Sequence, residues 1–124
     1  MSGFVEKLRK ESLVANEEKY YGIEPQPNAN ALMLELRYRD GKRLGLPYSY
    51  LTKVDFDPNV GIEIHISSVM LLIKGRGLEE IFNYLMQQRV MWIREDSTGM
   101  DTEDDASVFV ESVEILKKEE PLVT

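Results

Sequence analysis

Between Gly61 and Glu95 the hydrophobic period changes from two to continuous, then to helical, and back to extended, which limits the accessible folds more than any other stretch of the chain. Ile62, Ile64 and Ile66 alternate with Glu63, His65 and Ser67, the pattern of a strand with one buried face. Ser67-Ser68 marks a turn. Val69 to Ile73 is apolar at every position, as in a strand covered on both faces, and Gly75-Arg76-Gly77 is expected to break it. Leu78, Ile81, Phe82 and Leu85 then fall on one side of a helix expected over 78–88 and facing the isoleucines of the sheet. Val90-Met91-Trp92-Ile93 resumes extended structure. This stretch specifies architecture and carries no chemistry.

Upstream, Leu32, Leu34, Leu36 and Tyr38 alternate with Met33, Glu35, Arg37 and Arg39, giving a strand with one apolar face. Asp40-Gly41 favours a two-residue hairpin turn leading to Arg43-Leu44-Gly45-Leu46, and Pro47 stops regular pairing. Thr52, Val54 and Phe56 suggest a further strand, closed by an Asp57-Pro58-Asn59 turn. Residues 3–20 read as a weak helix around Phe4, Val5 and Leu8, and Glu24 to Asn30, with two prolines, reads as a linker. Near the other end, Ser107 to Leu116 fits a bulged strand, with a helix as the alternative because its apolar residues also recur at three and four. The expectation is an α+β fold: a mostly antiparallel sheet or open barrel with one packed helix and an N-terminal helical arm. In domain terms, arm and linker occupy 1–30 and a single α+β domain 31–124, with an acidic loop at 95–105.

Of 124 residues, 43% are hydrophobic and 30% charged, which suits a folded soluble domain. The longest apolar run, Val69 to Ile73, is far below the roughly 20 residues of a membrane span. The first twenty residues lack the apolar segment of a secretory signal, so a cytoplasmic location is expected. The chain has no cysteine, which excludes disulfides, thiolate nucleophiles and cysteine-ligated zinc. Its net charge of -7 is unevenly spread. Residues 31–94 carry nine Lys and Arg against seven Asp and Glu, whereas residues 95–124 carry two against ten. Six carboxylates fall between Glu95 and Asp105, but Asp96 to Asp101 lacks the Asp-x-Asp-x-Asp-Gly spacing of a calcium loop. Neither a metal nor a cofactor is expected.

Glu63, His65 and Ser67 are the one acid, histidine and serine grouping on a common strand face. Alternate strand positions lie roughly 7 Å apart, whereas a catalytic pair must come within about 3 Å. A polar outer face is therefore expected, with no catalytic residue. As the only histidine, His65 also excludes a paired-histidine metal site. Gly75-Arg76-Gly77 sits where a phosphate loop would, yet Glu80 occupies the place of the third glycine, and Glu79 and Glu80 would repel an anion from the helix start. Arg37, Arg39, Lys42 and Arg43, near Tyr38, Tyr48 and Tyr50, form a basic and aromatic cluster diluted by Glu35 and Asp40.

Leu34-x-Leu36 followed by Asp40-Gly41, Gly45 and Asn59 is similar to the first motif of Sm-like RNA-binding proteins, and Leu72-Ile73-Lys74-Gly75 resembles their second. That resemblance implies RNA contacts at Asp57, Asn59, Lys74 and Arg76. The chain departs from the pattern by a shorter interval between Asp40-Gly41 and Gly45, and by a full helix after the second motif. The functional expectation is a small non-catalytic interaction or assembly module of unknown protein partner, with edge strands suited to a homodimer. Nucleic-acid binding is not expected. Two alternatives stand beside this reading: an RNA-binding Sm-like domain, and an enzyme whose site assembles from distant carboxylates and tyrosines.

Overall fold

Isoleucines 62, 64 and 66 are completely buried, and the elements around them follow from that one apolar face. The computed structural model describes residues 20–98 and 108–118, without the side chains of Lys117 and Lys118. In chain order the elements are β1 (Tyr21–Ile23), β2 (Met33–Arg37), β3 (Arg43–Pro47), a 3-10 turn (Tyr48–Tyr50), β4 (Leu51–Asp57), β5 (Gly61–Ile66), β6 (Val69–Arg76), α1 (Glu79–Met86), β7 (Val90–Arg94) and β8 (Phe109–Lys118). The strands form two four-stranded sheets, ordered β1-β7-β2-β3 and β4-β5-β6-β8. All ladders are antiparallel except β2 with β7, where Glu35, Leu36 and Arg37 pair with Trp92, Ile93 and Arg94. The fold is thus α+β and mostly antiparallel, with two sheets in place of the single sheet or open barrel.

One apolar cluster joins the two sheets: Leu34, Leu36, Val90 and Ile93 from the first meet Ile62, Ile64, Leu71, Ile73 and Val110 from the second. Burying each such side chain contributes about 1.5–3 kcal/mol. Helix α1 adds Ile81 and Leu85, and its N-cap adds Leu78, all at most 3% exposed. Phe82 is only half-buried and stacks on Phe56 of β4 at 5.7 Å between ring centres. The helix is shorter than the expected 78–88, because Leu78 caps its start and Gln88 takes a positive φ of 56° just beyond its end.

Several expectations change for local physical reasons. Arg37 faces Arg43, and Tyr38 N–H donates to the Lys42 carbonyl at 2.8 Å, so the hairpin has a three-residue loop rather than two. Gly41 alone takes the left-handed conformation, with φ 94°, which is the signature of a bulged turn and not of the paired positive φ values of a two-residue turn. Leu32 falls outside β2 and is 83% exposed. Strand β6 continues through Gly75 to Arg76, because β8 crosses it so closely that a Cβ at Gly75 would lie 1.9 Å from the Phe109 carbonyl oxygen. Phe109–Lys118 is a strand, with register shifts opposite Met70/Leu71 and Lys74/Gly75, as the bulged-strand reading expects.

The folded body also begins earlier than Ala31. Tyr21 pairs with Ile93 and Gly22 with Trp92, placing β1 within the first sheet. The segment read as a linker is anchored at both ends: Glu24 N–H donates to Arg89 and Ala31 N–H to Gln88, each at 2.8 Å. The expected helical arm lies outside the described residues apart from Tyr20, as do residues 99–105 of the acidic loop.

Candidate functional site

Glu95 is the buried charged residue among those described, at 8% exposure, and it follows directly on β7. Its own N–H donates to the Arg37 carbonyl at 2.9 Å, which continues the pairing of β7 with β2. Its carboxylate spans the two sheets. One oxygen accepts from Arg39 N–H at 2.9 Å in the β2–β3 loop, and the other from Val113 N–H at 2.8 Å on β8. Asp96 N–H reaches the Val110 carbonyl at 2.8 Å, and the Arg39 guanidinium donates to the carbonyls of Asp96 and Glu111. Tyr20 hydroxyl donates to the Asp96 carboxylate at 2.7 Å. Glu95 and Asp96 therefore leave the expected acidic loop and act as a clasp, since an ionised carboxylate accepting two backbone N–H groups offsets the cost of its burial.

Beside the clasp lies an open groove of about 470 Å³ lined by Tyr38, Asp40, Lys42, Arg43, Leu44 and Ile115. Tyr38 does face inward, yet its buried hydroxyl has no hydrogen-bond partner among the described residues. Burial pushes the Tyr38 phenol pKa up, and the nearby charges of Glu95 and Asp40 push it further, so the hydroxyl keeps its proton. The basic cluster around the hairpin is largely neutralised. Glu35 takes Arg37 at 2.5 Å and Arg43 at 2.7 Å, and the Arg37 hydrogen bond is the main cause holding its carboxyl below the usual range. Lys42 lies 3.6 Å from Asp40. Tyr48 is buried and donates to the Val90 carbonyl at 2.6 Å, while Tyr50 is 62% exposed.

Glu63 and His65 do come within 3.1 Å, because both long side chains lean together across two strand positions, a contact that the backbone spacing does not anticipate. Ser67 sits past the end of β5 in the turn, with a φ of 56°. Glu80, at the start of α1, accepts a short hydrogen bond from the Tyr21 hydroxyl, whose pKa burial pushes up. Among the described residues no cluster of three or more metal-ligating side chains is present, and no helix is long and apolar enough to cross a membrane.

Asp57, Asn59, Lys74 and Arg76 reach the same end of the second sheet, since Gly61 closes the β4–β5 turn beside the last residues of β6. Asp57, Lys74 and Arg76 use their side chains within the chain, and Asn59 its backbone N–H. Asp57 accepts from Asn59 N–H at 2.9 Å, Lys74 lies 3.3 Å from Glu114, and the Arg76 guanidinium sits 5.8 Å from the Phe109 ring centre. No sequence motif marks the Glu95 clasp. Its signal was a lone Glu immediately after a strand, which is indistinguishable from the solvated carboxylates that follow it. Comparison with protein-family models, curated proteins and solved structures finds no match to this chain.

Proposed function

We propose that this chain is a small interaction or assembly module without catalytic activity. The observation that carries the reading is a contrast of surfaces. The ionic groups of the hairpin and of β5 and β6 are satisfied within the chain, whereas Leu32 (83% exposed), Met86 (64%) and Tyr50 (62%) offer large apolar area to solvent. A partner covering these side chains would gain hydrophobic free energy without having to strip ion pairs. Strands β3 and β4 are sheet edges and add hydrogen-bonding capacity to the same purpose.

Photo-crosslinking from Leu32, Tyr50 and Met86 in the native cell tests the reading. A discrete protein adduct at one of these positions, absent when the crosslinker replaces Asn59, is the expected result. Adducts at none of the three would remove the support. Crosslinks to RNA from Asn59, lost when Lys74 and Arg76 become Ala, would move the function to the Sm-like alternative.

A further inference from the structure

Strand β4 is the outer strand of the second sheet, and its hydrogen-bonding phase can be read from its turn. Asp57 faces Gly61 at the hairpin end. The pattern in which that pair is not directly bonded would need an N–H from Pro58, which has none. Asp57, Asp55 and Lys53 therefore turn their peptide groups toward β5, and Val54 and Phe56 turn theirs outward. Among the described residues no backbone group meets them.

The side chains along this edge are self-complementary. Lys53 and Asp55 project from one face, 59% and 49% exposed, and lie 3.2 Å apart. A lone lysine on an edge strand discourages pairing. Here it is matched by an aspartate two residues on. Two copies placed antiparallel about Val54 would set Val54 against Val54 as a directly bonded pair; beyond it Phe56 would come opposite Thr52, where the ladder with β5 shifts register and the Thr52 hydroxyl donates to the His65 carbonyl at 3.2 Å. Lys53 of each copy would then face Asp55 of the other at the non-bonded positions, where side chains come closest. Phe56 and its stacked neighbour Phe82, both half-buried, flank the same edge.

We infer that β4 is a self-association site and that its occupant is β4 of a second copy of this chain, joined about a two-fold axis at Val54 into a continuous eight-stranded sheet. This rests on the interaction-module reading and names its partner. The charge pattern selects the second copy over an arbitrary strand, because a two-fold axis at Val54 satisfies both Lys53 and Asp55 at once.

Sedimentation equilibrium of the full chain across micromolar concentrations at low salt tests the inference. The wild type should show a concentration-dependent dimer. Val54→Pro removes the outward N–H, together with a half-buried valine side chain packed against the core, and should weaken the dimer about tenfold or more. Lys53→Asp sets carboxylates against carboxylates at the axis and should weaken it by about fivefold, and adding Asp55→Lys should restore it. Circular dichroism monitors folding, and the charge-swap set decides the matter if Val54→Pro does not fold. A wild type monomeric at 100 µM (roughly the upper end of a useful micromolar Kd), or a dimer indifferent to Lys53→Asp, overturns the β4 site. Partner adducts in the crosslinking experiment would leave the module reading standing in that event.

Discussion

The two edges of the second sheet are finished in opposite ways. At β8 the outer edge is occupied: Asp96 N–H, the Arg39 guanidinium and the Glu95 carboxylate take up backbone groups of Val110, Glu111 and Val113. At β4 the outward groups of Val54 and Phe56 meet nothing among the described residues, and their neighbours are half-buried aromatics and exposed charges. An edge covered by its own chain holds the two sheets together, whereas an uncovered edge remains available to another chain. Stability should therefore be concentrated at the first edge and association at the second.

The strongest way to break this contrast is to remove the clasp. Glu95→Ala orphans two backbone N–H groups, each costing about 1–3 kcal/mol, so a total loss of about 4 kcal/mol is expected in urea titration. Glu95→Gln should lose less, since its amide oxygen still accepts one of the two bonds. A loss below about 1 kcal/mol for Glu95→Ala would mean that the sheets are held by packing alone.

The helix beside the open edge offers a second comparison. Ile81 is fully buried, whereas Phe82 shares its exposure with Phe56. Ile81→Ala should cost about 3 kcal/mol and Phe82→Ala about 2, despite the larger ring, because the cost follows the area withdrawn from water. The reverse order would show that Phe82 is covered in solution, as a second copy at β4 could do.

Alkaline unfolding sharpens the first-sheet side of the contrast. Burial raises the phenol pKa values of Tyr21, Tyr38 and Tyr48, so the folded chain holds these protons after the unfolded chain has released them. Their contribution is present in full below about pH 10, the ordinary tyrosine value, and declines as pH rises through and above it. Urea midpoints measured from pH 8 to 11 should fall steeply over the last unit, and Tyr48→Phe should flatten that decline.

Tyr38→Phe is the smallest expected effect and the closest contrast with Glu95. Both residues lie at the same joint, yet the Tyr38 hydroxyl bonds to nothing among the described residues. Deleting a buried hydroxyl that has no partner should change stability by less than about 0.5 kcal/mol or raise it slightly. A loss above 1 kcal/mol, measured in the same titration, would show that the hydroxyl has an ordered water or ligand in the groove.

What the chain determines locally is its strands and its helix. The alternation at Ile62, Ile64 and Ile66, the apolar run from Val69, and the helical spacing of Leu78, Ile81 and Leu85 require only neighbours within a few residues, so periodicity alone places β5, β6 and α1. The Asp57-Pro58-Asn59 turn is local in the same sense, and Pro58 even sets the bonding phase of β4. Tertiary structure decided the division into two sheets, the capture of Tyr21–Ile23 as a strand, and the role of Glu95. Three residues with weak strand signal become β1 because Ile93, some seventy positions away, supplies the other half of the ladder. Glu95 is one carboxylate among several in sequence and a buried bridge in the fold, because its two acceptor sites are filled by Arg39 and Val113. Such bonds depend on which distant backbone groups are left without partners once the sheets have packed, and that information is carried by no single segment.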